Sequence, residues 1–162
     1  MGSGGQLPSL AGVQLVPAPS VRSLGVTFDA SLSMEAQVTA TAQLAFFHLR
    51  RIRQLAPYLS RPDLATVIHA TVTSRLDYCN SLYAGLPLKL TQKLQRVQNA
   101  AARLLTGSLP RDHIHPVLYQ LHWLLVEYRI RFKVLVLTFK ALYSLEPSYL
   151  RDHLFWYALT VC

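Results

Sequence analysis

Apolar side chains recur at helical spacing along most of the chain, beginning shortly after Ser33. Positions three or four residues apart lie on one face of an α-helix. Three such stripes precede Gly107, and each defines one predicted helix. Their apolar members are Val38, Ala42, Ala45, Leu49 and Ile52; Leu64, Ile68, Val72 and Leu76; and Leu90, Leu94, Val97, Ala101, Leu104 and Leu105. The pattern therefore predicts amphipathic helices that share one core.

Residues that begin or end helices stand beside these stripes. Ser33 is the predicted N-cap of the first helix, and Pro57 ends that helix. Ser60, with Asp63 three residues later, predicts the start of the second helix. Gly107 stands where the third helix needs a C-terminal cap. A break is predicted between the second and third helices, over residues 80–87.

The remaining segments predict a long final helix and a short N-terminal ribbon. Residues 127–143 are apolar almost all round, which predicts a buried helix. A loop (110–116) and one or two helical turns (117–123) precede it, and a short helix (148–156) is predicted after Pro147. Residues 13–16 and 21–28 read as strands that pair with each other, with Gly25 as a bend. The predicted fold class is thus mainly α, with a short N-terminal β ribbon after a Gly- and Pro-rich disordered leader.

The composition predicts that part of the apolar surface of this fold is covered by a partner. Apolar residues make up 51% and charged residues 15%, whereas an average soluble domain has roughly 25% charged residues. The surplus apolar surface predicts self-association or a covering partner. A formal net charge of +8 predicts a polyanionic partner, with nucleic acid ahead of a membrane surface. A solubilising charged face is the plainer alternative.

Cysteine usage and hydropathy predict an intracellular protein. The two cysteines, Cys79 and Cys162, are too few and too far apart to indicate a disulfide framework. The start of the chain lacks the basic and apolar regions of a signal peptide. The apolar run 134–139 is much shorter than the ~20 residues that a membrane span needs. We therefore expect a location in the cytoplasm or nucleus, no secretion and no membrane partner.

The distribution of acids and metal-type ligands argues against catalysis by these residues. Nucleotidyl transfer needs two or more carboxylates around two metal ions, but the eight acids stand singly. Asp29 and Asp77 are more typical of caps or salt-bridge partners. His113 and His115 fit loop or capping histidines better than zinc ligands, and Cys79 lacks an activating neighbour in sequence. No catalytic residue, metal site or cofactor is predicted.

Three groups of cations are the candidate nucleic-acid-binding residues. One group ends the first predicted helix, the second lies along one stripe of the third, and the last opens the long final helix beside Arg131. They are Arg50, Arg51 and Arg53; Lys89, Lys93, Arg96 and Arg103; and Arg129 and Lys133. Such cations contact phosphates without reading base sequence. The alternative is that their long side chains simply cover an apolar body.

Several long strings resemble one family of retroelement enzymes. They are VRSLGVTFD (21–29), AFFHLR (45–50), HATVTSRLDYCN (69–80), LQRVQNAAARL (94–104), HIHPVL (113–118), LHWL (121–124), FKVL (132–135), KAL (140–142) and PSYL (147–150). Their content and order resemble the segment that follows the palm in LINE-type, jockey-like non-LTR retrotransposon reverse transcriptases. The resemblance spans about residues 12–152.

The resemblance implies a place within an RNA-directed DNA polymerase. Residues 13–32 resemble the palm-to-thumb junction, and 33–152 resemble the helical thumb, which packs against the template-primer duplex. The family's catalytic Asp-Asp pair does not occur in these residues. Two departures stand out. Leu125 replaces a proline of the family, which favours continued helix before the long final helix, and residues 153–162 form a divergent tail.

The expected function is therefore that of a non-catalytic, nucleic-acid-binding fragment of a reverse transcriptase. Its expected partners are an RNA/DNA duplex, bound weakly and without sequence preference, and a palm domain or a second copy at the exposed apolar surface. Two alternatives stay open at this point. One is a helical protein-interaction module, and the other is an open reading frame without selected function.

Overall fold

The computed structural model describes residues 9–10, 13–14, 16, 18–143, 145 and 148–154. Most of the predicted leader lies outside the described residues. So do Pro147 and residues 155–162, which hold most of the predicted tail and the end of the last predicted helix.

The described chain is mainly α-helical, as predicted, with small antiparallel ribbons before the first helix. The ribbons pair β1 (Ser9–Leu10) with β2 (Val13–Gln14), and β3 (Ser20–Ser23) with β4 (Val26–Asp29). The helices are α1 (Glu35–Leu55), α2 (Arg61–Ile68), α3 (Ser74–Asp77), α4 (Leu88–Thr106), α5 (Ile114–Gln120), α6 (Val126–Leu142) and α7 (Ser148–Arg151). A π-helical turn, His69–Thr73, joins α2 to α3, and 3₁₀ turns cover Ala56–Tyr58 and Asn80–Tyr83.

The predicted apolar stripes form the core. Every stripe residue of the first two predicted helices is buried, and so is every one of the third except half-buried Leu104. Helices α1 and α4 make the most extensive contact between helices, and α2 and α6 also pack against α4. Burial of this shared face is the main favourable contribution to a fold of this kind.

Local signals placed most helix ends correctly. Pro57 lies in the 3₁₀ turn directly after α1, and the Ser60 hydroxyl accepts the Asp63 N–H at the start of α2. Gly107 caps α4 in the left-handed conformation, at φ 73°. The break over residues 80–87 is also confirmed, with α4 beginning at Leu88.

The predicted N-cap of α1 was wrong. Met34, not Ser33, precedes the first helical residue, and it has φ 57° with no side-chain cap bond. The Ser33 hydroxyl nevertheless accepts the Glu35 N–H at 3.3 Å, and the Asp29 carboxylate accepts the N–H groups of Ser31, Ser33 and Met34 at 3.1, 3.0 and 3.0 Å. One acid at the end of β4 thus orders the whole turn into α1.

The predicted pairing of residues 13–16 with 21–28 was also wrong. Residues 21–28 fold back on themselves, with the turn at Leu24 and Gly25, and Val21 lies opposite Phe28. Gly25 has φ 80°, which suits a tight turn. The earlier strand instead pairs with Ser9–Leu10, inside the predicted leader.

Two boundaries near α5 differ from the prediction. Helix α5 begins at Ile114, inside the predicted loop 110–116, because a proline such as Pro116 is tolerated in the first helical turn. Leu125 does not extend the helix: its ψ is 149°, and α6 begins at Val126. His122 turns the chain at φ 55°.

The prediction that the final long helix is buried was wrong. Of the described α6 residues, only Val126, Ile130 and Ala141 are buried. The helix packs on α4, α3 and the Asn80–Tyr83 turn, and these contacts cover one side of it. A helix that is apolar on all sides is fully buried only when other elements pack against every side of it, and α6 is covered on one side.

Candidate nucleic-acid interface

A groove runs between α1 and α4 on the surface of the bundle. Its walls are Thr39, Ala42, Gln43 and Phe46 from α1 and Lys93 and Arg96 from α4, around a cavity of about 220 Å³. Lys93 contacts Thr39, and Arg96 lines the same cavity as Phe46, which lies further along α1; this arrangement is that of two helices running in the same direction. Residues that continue the α1 row therefore lie further along the same surface, with Arg50 about 16 Å and Arg53 about 21 Å beyond the level of Lys93 at a rise of about 1.5 Å per residue.

On the α4 side, Lys93 is fixed and its neighbours are free. The Lys93 Nζ lies 3.1 Å from the Thr39 hydroxyl and 3.5 Å from a Glu35 carboxylate oxygen. This ammonium group thus joins the two helices. Lys89 and Arg96 are exposed, and no described residue forms a hydrogen bond or ion pair with either.

On the α1 side, Arg50 and Arg53 continue the row of groove residues. Thr39, Gln43, Phe46, Arg50 and Arg53 follow one another at intervals of four, three, four and three residues. Such residues share one face of a helix. Both arginines are exposed and have no partner in the described part of the chain. We call Arg50, Arg53, Lys89, Lys93 and Arg96 the basic seam.

Arg51 belongs to another face of α1. Each residue turns the helix by about 100°, so Arg51 points away from both of its predicted companions. Its guanidinium lies 5.1 Å from the centre of the exposed Phe47 ring, a cation–π contact. The structure therefore divides the predicted triplet of arginines.

Two other predicted binding residues hold the fold together. An Arg103 nitrogen donates to the Asp112 carbonyl at 3.2 Å, and the Arg103 Nε is buried without a described partner. Arg129 binds Asp77 through two nitrogens, one at 2.9 Å, and so joins α6 to α3. Both guanidinium groups therefore have structural partners away from the groove.

Lys133, the remaining candidate, is exposed on α6. It lines a small cavity with Asp77, His122 and Phe132 rather than the groove between α1 and α4. The basic seam thus unites five of the nine predicted residues. Its one acidic neighbour among the described contacts, Glu35, is paired with Lys93, which leaves four cations without a partner.

A second polar cleft contains arginines that the sequence did not single out. It measures about 510 Å³ and lies between the β3–β4 ribbon, α1 and the α2–α3 helix, with Arg22 and Arg75 in its lining. The Tyr78 hydroxyl donates to the Leu24 carbonyl at 2.6 Å and holds the ribbon turn against α3. Charge repulsion from Cys79, and then desolvation, raise the pKa of the Tyr78 hydroxyl. Arg22 and Arg75 are too far apart in sequence for periodicity to link them.

Asp29 and Asp77 serve as a cap and an ion-pair partner, as expected: Asp29 caps the turn into α1, and Asp77 binds Arg129. His113 occupies the N-cap position of α5 without a side-chain capping bond, and His115 lies within that helix rather than in a loop. Within the described residues, no three His, Cys, Asp or Glu side chains are placed to hold a metal ion. Nor does that part of the chain contain a helix with the length and hydropathy for a membrane crossing.

No protein-family model, curated protein or solved structure compared with the chain matches it.

Proposed function

We propose that this chain is the thumb-side helical segment of a LINE-type retrotransposon reverse transcriptase, and that it binds an RNA/DNA duplex without catalysing polymerisation. The ordered strings between residues 21 and 150 support the family assignment. The basic seam supports the nucleic-acid partner, and it is the observation on which the proposal depends. The absence of an Asp-Asp pair from the sequence supports the non-catalytic part.

The basic seam suits phosphate contact rather than base recognition. Its cations project from two adjacent helices and are spread along them, from Lys89 at one end to Arg53 about 27 Å further along at a rise of about 1.5 Å per residue. Flexible lysine and arginine side chains spread in this way can contact successive phosphates without entering a groove of the nucleic acid. Lys93, held by Glu35 and Thr39, fixes the spacing of the two rows.

Salt dependence is the direct test of this proposal. Four unpaired cations that each neutralise one phosphate give a slope of about −3.6 for log K against log[salt] on B-form DNA. Weak, non-specific binding corresponds to a Kd of about 10⁻⁴ to 10⁻⁶ M. The measurement is fluorescence anisotropy of a labelled duplex across a salt series, repeated with an RNA/DNA hybrid of the same sequence.

A charge-matched pair of double variants locates the contact. Lys89→Gln with Arg96→Gln should reduce the slope by about 1.8 units. Arg61→Gln with Arg111→Gln removes the same charge at exposed positions outside the seam and should change the slope little. Arg103 is unsuitable as a test position because it supports the loop at Asp112. Equal effects of the two double variants would refute the seam as the binding surface.

A further inference from the structure

A polar cavity of about 350 Å³ lies where α3, the Asn80–Tyr83 turn and α6 meet. Its lining includes Asp77, Asn80, His122, Arg129, Phe132 and Lys133. The volume is within the range of small-molecule sites, which is about 300–1,000 Å³. We call it the Asn80 cavity. It is separate from the groove between α1 and α4 that contains part of the basic seam.

Asn80 is buried, unlike the rest of the lining, and its side chain lacks a partner. It is 4% exposed, and its Oδ1 is buried with no hydrogen-bond partner among the described residues. The large majority of buried polar atoms in native proteins are hydrogen-bonded. Because Asn80 lines the cavity, a molecule bound there can supply the missing hydrogen bond.

The backbone on both sides of the cavity is held in an unfavourable conformation. Cys79, directly before Asn80, has φ 52°, and His122 has φ 55°. Residues with a Cβ adopt this left-handed region at a cost, and such residues cluster at ligand sites. The strain is consistent with a lining that is shaped for a bound molecule.

The charges of the cavity indicate that this molecule is an anion. Arg129 binds Asp77 through Nε and Nη2, which leaves Nη1 outside the pair. Asp77 is the one acid in the lining, and Arg129 neutralises it. The Lys133 ammonium is exposed and has no partner in the described part of the chain. An unmatched ammonium beside a guanidinium nitrogen favours a phosphate or carboxylate group.

The apolar part of the lining indicates a planar body. Phe132 and Leu124 both line the cavity and are 60% and 52% exposed. An exposed aromatic ring can stack against a nucleobase. The carboxamide of Asn80 carries a donor and an acceptor side by side, and adenine presents the complementary pair at N7 and N6.

Simpler ligands leave part of the cavity unsatisfied. Inorganic phosphate matches Lys133 but offers no hydrogen-bond donor to the Asn80 oxygen when fully ionised. A neutral nucleoside matches Asn80 but leaves the lysine without a counter-charge. A nucleotide combines a base edge, a planar face and a phosphate in one molecule.

We propose that the Asn80 cavity binds a nucleotide, with the base edge at Asn80, the base face against Phe132 and the phosphate at Lys133. Adenine is the base that suits an asparagine side chain. This inference does not rest on duplex binding by the basic seam.

Three small ligands test the proposal with the full chain. Ligand-observed NMR should compare adenosine monophosphate, adenosine and inorganic phosphate in about 0.15 M salt, which screens exposed charges beyond about 8 Å. Adenosine monophosphate should bind at least tenfold more tightly than either of the others, because it alone engages both ends of the cavity. Affinity equal to that of inorganic phosphate would overturn the assignment of a base pocket, and no binding would overturn the site.

A matched pair of lysine variants locates the phosphate. Lys133→Gln should weaken binding of adenosine monophosphate at least fivefold and leave adenosine binding unchanged. Lys140→Gln removes the same charge from the same helix at an exposed position outside the cavity and should have no effect. Equal effects of the two variants would refute the contact with Lys133.

Variants on the base side locate the rest of the ligand. Asn80→Leu removes the carboxamide at similar volume and should weaken both adenosine monophosphate and adenosine at least tenfold. Should this buried variant lose its helical circular dichroism, Phe132→Leu tests the same part of the ligand from an exposed position and should weaken both at least fivefold. Unchanged binding in a folded base-side variant would refute the pocket.

Two nucleic-acid ligands distinguish a free nucleotide from a nucleotide within a strand. Binding of a short adenylate strand that Lys133→Gln and Phe132→Leu both weaken would show that the cavity accepts an unpaired nucleotide of a strand. Binding of adenosine monophosphate alone would identify a free nucleotide. Duplex affinity should be unchanged in the cavity variants, so failure of this site and failure of the basic seam are distinguishable. Weaker duplex binding by Lys133→Gln, without binding of adenosine monophosphate to the parent, would overturn the proposal and assign Lys133 to the duplex.

Discussion

At the scale of single residues, Asp29 connects the β3–β4 ribbon to α1. Its carboxylate accepts hydroxyl hydrogen bonds from Ser31 at 2.6 Å and Ser33 at 3.0 Å, besides three backbone N–H groups. The Ser31 hydroxyl, followed by the Ser33 N–H, holds the pKa of Asp29 well below its usual range. Ionised Asp29 is therefore the form that stabilises the fold.

This pKa shift predicts a pH-dependent effect of Asp29→Asn. The folded-state pKa lies below the unfolded value of about 3.9, so the stabilisation is present above that pH and is lost as the pH falls through the folded pKa. The variant should have a lower Tm than the parent at pH 7, and the difference should shrink steadily below pH ~4. A Tm difference that stays constant down to pH ~2 would contradict this role.

We expect the two ion pairs that involve arginines of α6 to have different coupling energies. Arg129 and Asp77 form a bidentate pair with side chains 20% and 40% exposed, whereas the Arg131–Glu127 pair is 66% and 48% exposed. Double-mutant cycles in urea should give a coupling energy of about 1–2 kcal/mol for the first pair and about 0.3–0.5 kcal/mol for the second. Equal coupling energies would show that bidentate geometry and partial burial add nothing here.

At the scale of elements, helix ends depend on one or two residues each. Ser60 begins α2 by accepting the Asp63 N–H, and its hydroxyl donates to the Asp63 carboxylate at 2.5 Å. Gly107 ends α4 by adopting a left-handed conformation that side chains with a Cβ disfavour. These two residues therefore determine where α2 begins and where α4 ends.

At Gly107, the free-energy cost of placing a residue with a Cβ in the left-handed conformation can be measured without a steric clash. A Cβ added there would meet nothing within 4 Å, so Gly107→Ala should lower the free energy of unfolding by about 1–2 kcal/mol through backbone strain alone. Gly107→Asn should cost less, since asparagine tolerates this conformation better. Denaturant unfolding of the two variants checks both the size and the order. Equal stability of Gly107→Ala and the parent would contradict the strain argument.

At the scale of the whole molecule, the chain presents two unlike surfaces. The basic seam holds four unpaired cations between α1 and α4, whereas the outer face of α6 exposes Phe132, Leu135 and Phe139. The excess of apolar over charged residues in the composition is thus accounted for in part by a face with no neighbour in the described chain.

The distribution of acids across the molecule predicts that it does not polymerise DNA. Two-metal nucleotidyl transfer needs carboxylates that hold ions about 4 Å apart, whereas Asp29 and Asp77 are each held by their own structural partners. The purified chain should incorporate no labelled nucleotide on a primed RNA or DNA template with Mg²⁺ or Mn²⁺. Incorporation that persists after Asp29→Ala with Asp77→Ala would reveal a site elsewhere.

The sequence by itself determined the local structure of this protein, namely which residues form helices and where several helices end. The stripes headed by Val38, Leu64 and Leu90 became the core, and Pro57, Ser60 and Gly107 set helix ends. Each of these signals acts within about one helical turn, where residues three and four apart meet. The candidate cations were therefore placed on the correct helices, and the off-seam position of Arg51 follows from helix geometry alone.

Only the tertiary structure decided which of those residues meet. Lys93 with Glu35, Arg129 with Asp77 and the ribbon turn with Tyr78 are each separated by more than 50 residues, beyond the reach of any local pattern. The exposure of α6 was decided in the same way. Periodicity records which side chains share a face, but whether another element covers that face depends on how the chain packs in three dimensions.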